Sequence, residues 1–142
     1  MYFCIECERK KMNFFNKFFK TNKEIADEEI VEIPWNMLTD NTEIQQLEKE
    51  SEDKLVVVFK HSTRCGISRM VLRNFEKNLK LPPEKTKLYF LDLLNNRGIS
   101  QEMASHFQVI HESPQVIAIK NKVVVHHASH SGISAKKLEE FL

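Results

Sequence analysis

The chain has 142 residues, 42% hydrophobic and 29% charged, which is enough to close one core of ordinary size but hardly two. Its formal net charge is +1 and its basic residues are spread along the chain, which excludes an extended nucleic-acid footprint. Three cysteines without a secretory leader point to a reducing compartment, the cytoplasm, and the longest apolar run, Leu55 to Phe59, falls far short of the roughly 20 residues that span a bilayer.

Residues 1–29 are rich in Lys and Phe with no strand-like run and read as an N-terminal extension, docked or partly disordered. Phe14, Phe15, Phe18 and Phe19 share one helical side, with Lys17 and Lys20 among them; because the segment is short, docking on its own domain is favoured over a membrane surface or partner. Cys4 and Cys7 have the spacing of half a zinc site, but no second pair follows at suitable spacing, so no metal is expected. Either thiol could instead resolve a distant cysteine, and both carry no meaning if Met12 is the natural start.

A single domain is expected over 30–142, opening on a short strand at Ile30-Val31-Glu32-Ile33. Asp40-Asn41-Thr42-Glu43 has the spacing of a reciprocal N-terminal cap, with Ile44 and Leu47 following, and predicts a helix to about Ser51. Leu55 to Phe59 is apolar without alternation and β-branched, as befits a central strand covered on both faces. Ile67, Val71, Phe75 and Leu79 recur every fourth residue until Pro82-Pro83 forbids continuation, predicting a helix over about 65–80. Leu88 to Leu93 reads as another buried strand, and Ser100 as the cap of a helix carrying Met103 and Phe107. Val116–Ile119 and Val123–Val125 flank a turn at Lys120-Asn121-Lys122, and Ser134 caps a last helix burying Leu138 and Phe141. The order is βαβαβαββα, an α/β domain with a central mixed sheet flanked by helices.

Cys65 falls where the central strand ends and the next helix begins, in His61-Ser62-Thr63-Arg64-Cys65-Gly66-Ile67-Ser68. A helix start presents unpaired amides and partial positive charge, so a sulfur there is expected to be stabilised as the thiolate. Arg64 and His61 would push the same way, although His61 could equally just close the strand, and the Ser68 hydroxyl is expected to donate to the sulfur. His126, His127 and His130 read as solvated rather than ligating, since no oxygen or sulfur co-ligand lies near them in sequence.

A strand, then Cys-x-x-Ser opening a long helix, then Ser113-Pro114-Gln115 just before a hairpin strand resembles the thioredoxin superfamily, with Pro114 as its cis-proline. Within it the chain is most similar to the YtxJ-type monothiol bacilliredoxins. The similarity rests on Trp35-Asn36, the run Phe59 to Ser68, His111-Glu112-Ser113-Pro114-Gln115 and His130-Ser131-Gly132-Ile133, and covers about 35–142. That family typically has Pro where Gly66 stands. The resemblance implies a thioredoxin-like fold and a redox reaction in which Cys65 attacks the bacillithiol sulfur of a modified protein and holds the bacillithiol until a second thiol removes it. Thr63, Gly66, Ser113 and Pro114 would line the substrate, the backbone of Ser113 pairing with the bound chain. No cofactor is held tightly and bacillithiol is the co-substrate. Ser68 cannot close an internal disulfide, so an outside thiol must finish the cycle.

Two other functions compete. Cys-Gly-Ile-Ser is one residue from the Cys-Gly-Phe-Ser of iron–sulfur-carrying monothiol glutaredoxins, but those usually have Trp-Pro and Gly-Gly-Cys-Asp-like stretches where this chain has Glu112-Ser113-Pro114 and Ser131-Gly132-Ile133. The third is a non-catalytic thioredoxin-like module that binds peptides at its cis-proline edge.

Overall fold

A run such as Leu55-Val56-Val57-Val58-Phe59 offers water no polar face, so it is stable only where both sides are covered. In the computed structural model, which describes residues 32–142, this run lies in β2 (Leu55–His61), seven residues that are all buried. β2 pairs in parallel with β3 (Thr86–Asp92) and antiparallel with β4 (Gln115–Lys120). β1 (Asn36–Met37) runs parallel outside β3, and β5 (Val123–Ser129) antiparallel outside β4, giving the order β1-β3-β2-β4-β5. Helices α1 (Thr42–Glu50), α2 (Gly66–Asn78) and α3 (Arg97–Phe107) separate the first four strands, and α4 (Ala135–Leu138) follows the hairpin. The expected order βαβαβαββα and the mixed sheet are both present.

Side chains of β2 alternate between two cores. Val56 and Val58 pack with Ile44 and Leu47 of α1 and with Ile99 and Met103 of α3. Leu55, Val57 and Phe59 pack on the other face with Phe75 of α2 and Leu138 of α4. Each such side chain contributes about 1.5–3 kcal/mol by leaving water, so β2 is clamped along its length and its C-terminal end is a rigid platform for whatever follows.

Several local expectations are corrected. Among the described residues the first strand is the two-residue β1; Glu32 and Ile33 of the expected run lie in no strand, and Ile30 and Val31 lie outside the described residues. Trp35 Nε1 donates to Glu76 Oε1 at 2.7 Å and its ring stacks 6.2 Å from Phe75, while Asn36 Nδ2 donates to the Leu88 carbonyl at 3.0 Å. The cap of α1 is only half made: Asp40 Oδ1 accepts the Thr42 amide at 2.9 Å, but Glu43 accepts from the Thr39 hydroxyl instead of reaching back. In α2, Phe75 is buried and Val71 and Leu79 are partly buried, yet Ile67 is 57% exposed; the inward place in the first turn belongs to Ser68. α3 starts at Arg97, so Ser100 lies inside the helix, buried, and caps nothing.

The hairpin turn is Asn121-Lys122, both with positive φ (51° and 65°), the backbone that matches the twist of the paired strands. Ser134 caps α4 as expected, its hydroxyl oxygen accepting from the Lys137 amide at 3.3 Å. No described helix is long and apolar enough to cross a membrane. The Phe stripe, Cys4, Cys7 and Met12 lie outside the described residues.

Candidate active site

Past His61 the chain leaves the sheet, and the turn Ser62-Thr63-Arg64-Cys65 closes with the Cys65 amide donating to the Ser62 carbonyl at 3.1 Å. Cys65 is the N-cap of α2, extended at φ −95° and ψ 119°, and its carbonyl accepts the first intrahelical bond from the Arg69 amide at 3.1 Å. The backbone is thus held from both sides while the thiol is free and half-buried. No cap hydrogen bond engages the Cys65 side chain. Thr63, Arg64 and Gly66 around it are exposed.

Ser68 faces elsewhere than expected. It is fully buried, its oxygen accepts from the Ser62 amide at 3.2 Å, and it lies 2.8 Å from His61 Nδ1. The direction of the contact with His61 follows the imidazole tautomer. The expectation that Ser68 donates to the Cys65 sulfur is corrected: the hydrogen-bond partners of its side chain are the Ser62 amide and His61 Nδ1, not the sulfur. Burial pushes the His61 pKa below its ordinary value, outweighing the nearby Asp92 and Glu76 carboxylates, which works against the expected push from His61 on the thiol. The ring lies 5.4 Å from Phe90 and closes the end of β2.

Across the sheet, β4 begins opposite the same end of β2, with Lys60 paired to Gln115 and Phe59 to Val116. Continuing that register sets Pro114 beside His61 and Ser113 beside Ser62. The Ser113–Pro114 peptide bond is cis, and Pro114 is buried, as the resemblance implied. The loop ahead of it is held by Gln115, fully buried, whose Nε2 donates to the Ile110 carbonyl at 2.9 Å and whose Oε1 accepts the Glu112 amide at 3.4 Å. A second tie joins the Ser100 hydroxyl to His111 Nδ1 at 2.8 Å. Behind it, the His130 amide donates to the Pro114 carbonyl at 3.1 Å.

The structure therefore brings Cys65, His61, Ser68, Ser62, Ser113 and Pro114 to one end of the sheet, with Thr63, Arg64 and Gly66 at its rim. Sequence reasoning gave no role to Lys60 or Gln115 and read Ser100 only as a helix cap. A lysine inside an otherwise apolar buried strand was a visible signal; the Ser100 and Gln115 ties depend on contacts across the fold and left none.

A half-buried thiol that opens a helix at the end of a central strand, at the same end of the sheet as a cis-proline loop, defines a thiol oxidoreductase of the thioredoxin fold. The chain is 30% identical to a protein described as an oxidoreductase with a thioredoxin fold, with a TM-score of 0.62 over 73% of this chain and 89% of that one. Thioredoxins from Malassezia sympodialis (23% identity, TM-score 0.59, 81% of this chain and 94% of that one) and Fasciola hepatica (24%, 0.55, 75% and 94%) share the fold. Residues 36–138 match the monothiol bacilliredoxin BrxC family, and the chain belongs to it.

Proposed function

We propose that the protein removes bacillithiol from S-bacillithiolated proteins in the cytoplasm, with Cys65 as its nucleophile. The observation that carries this reading is the pairing of a free, half-buried Cys65 with a buried Ser68 where a dithiol enzyme needs its second sulfur. The Cys65 thiolate attacks the bacillithiol sulfur of the mixed disulfide. A Cys65–bacillithiol bond forms, the old sulfur–sulfur bond breaks, and the client's thiolate leaves with the electron pair and takes a proton from water. No thiol at position 68 can expel the bacillithiol, so a second bacillithiol thiolate attacks, leaving bacillithiol disulfide and restoring Cys65. Pro114 flanks the reacting sulfur, the backbone of Ser113 pairs with the client chain, and Thr63, Arg64 and Gly66 form the exposed rim against which the client rests.

The test is to incubate the protein, and separately its Cys65→Ser variant, with a bacillithiolated client and to record intact masses before and after adding free bacillithiol. Cys65 is expected to gain one bacillithiol as the client loses it, the variant to do nothing, and free bacillithiol to reset the enzyme. A client that keeps its label while Cys65 stays reduced overturns the proposal. Visible absorption after anaerobic purification would then point to a cluster carrier, and its absence together with slow Cys65 alkylation to a peptide-binding module.

A further inference from the structure

A cavity of about 320 Å³ opens beside the thiol turn, walled by Ser62, Arg97, Ser100, Gln101, His111 and Ser113. The described residues contain two buried polar side-chain atoms without a hydrogen-bond partner, Ser113 Oγ and Lys60 Nζ. Ser113 is on the wall. Lys60 is 0% exposed and pairs in register with Gln115, so the two side chains share a face of the sheet. Two residues further out on the same chains stand Ser62 and Ser113, so Lys60 sits inward of the cavity wall on the same face of the sheet. Burial lowers the His111 pKa, and the Lys60 charge lowers it further.

An ammonium group buried without a partner is costly, and a native fold keeps one only where something repays it. Arg97 adds a second cation at the first residue of α3, whose first-turn amides receive no side-chain cap from Asn96. Of the nearby carboxylates, Asp92 is engaged by the Leu94 amide and by Asn95 Nδ2, and Glu112 is exposed on the loop. Arg97 is the one permanently charged side chain on the cavity wall, which otherwise carries neutral hydrogen-bonding groups and Leu93 and Leu94.

From this geometry we infer that the cavity is a carboxylate subsite, in which Arg97 and the Ser113 hydroxyl hold an anionic arm of the small thiol or disulfide that exchanges with Cys65 and the buried Lys60 charge favours it from behind the wall. The inference rests on Cys65 being the exchanging thiol. The subsite discriminates among low-molecular-weight thiols by charge and leaves the client protein to the exposed rim. Lys60 and Arg97 are positioning residues, since neither touches the reacting sulfur.

The experiment compares two aromatic disulfides by stopped flow, 5,5′-dithiobis(2-nitrobenzoate), which carries carboxylates, and 2,2′-dithiodipyridine, which carries none. In each, the Cys65 thiolate bonds to one sulfur and the other half leaves as a coloured thiolate or thione. The readout is the ratio of the two second-order rates, from which the intrinsic reactivity of Cys65 cancels. Arg97→Ala is expected to lower that ratio about tenfold, the worth of one charge-assisted hydrogen bond, and Lys60→Met to lower it severalfold. A ratio that either variant leaves unchanged overturns the subsite. No reaction with either disulfide overturns instead the assignment of Cys65 as the exchanging thiol.

Discussion

Ser68 shows how packing decides a role. In the spacing Cys-x-x-Ser the hydroxyl is close enough in sequence to serve the sulfur, but in the fold it meets the Ser62 amide and Nδ1 of the buried His61. Ser68→Ala leaves both unsatisfied and is expected to destabilise the protein by about 1–3 kcal/mol, seen as a lower urea midpoint at unchanged slope. Cys65 alkylation by iodoacetamide in the folded variant is expected to change less than about threefold, because the hydroxyl does not face the sulfur. A tenfold loss of that rate would show that Ser68 serves the thiol after all. The residues themselves were legible, since the run from His61 to Ser68 was singled out as the chemistry; which atom faces which was not, because side-chain direction at a helix start depends on the strand it packs against.

At the scale of the element, α2 tests what the departure at Gly66 means. Proline is well suited to the first residue of a helix, where its missing N–H costs nothing and its φ is already helical. Cys65 ahead of it sits at φ −95° and ψ 119°, the extended region a following proline requires, and a Cβ at Gly66 meets nothing within 4 Å. Gly66→Pro is expected to stabilise the fold by about 0.5–1 kcal/mol through the unfolded chain, raising Tm by roughly 2–6 °C. A fall in Tm would mean that the first turn needs the freedom glycine gives it. The same helix shows why periodicity overreaches at its ends. Phe75 follows the stripe inward, but the first turn projects beyond the edge of the sheet, so Ile67 has nothing to pack on and stands exposed.

The molecule as a whole should respond to pH through its buried bases. Burial lowers Lys60 from 10.5 to about 8, so between pH 8 and 10.5 the unfolded chain holds a proton that the folded one has released, and stability rises with pH across that window. Lys60→Met is expected to abolish that rise and to raise stability at pH 7 by at most roughly 3 kcal/mol. Burial also lowers His61, His111 and His126 below 6.5, so the unfolded chain protonates first and stability is expected to fall as pH drops below that value. Urea unfolding at pH 5, 7, 8 and 10 checks both arms; a wild-type protein equally stable at pH 8 and 10 would mean that Lys60 is not held buried as a cation.

The sequence by itself determined the order of strands and helices, the central place of Leu55 to Phe59, the helix-opening thiol at Cys65, and, through resemblance, the cis bond at Pro114. These follow from signals that are local: apolar runs, breakers, caps, and a motif of a few consecutive residues. Only the tertiary structure decided that β1 is two residues held by Trp35 and Asn36, that Ser68 and Ser100 meet histidines, and that Lys60 of β2 lies buried and unpartnered. Each of these depends on β2, β4 and α3 meeting across long stretches of chain. The partner a buried polar group finds, or lacks, is fixed when those elements pack.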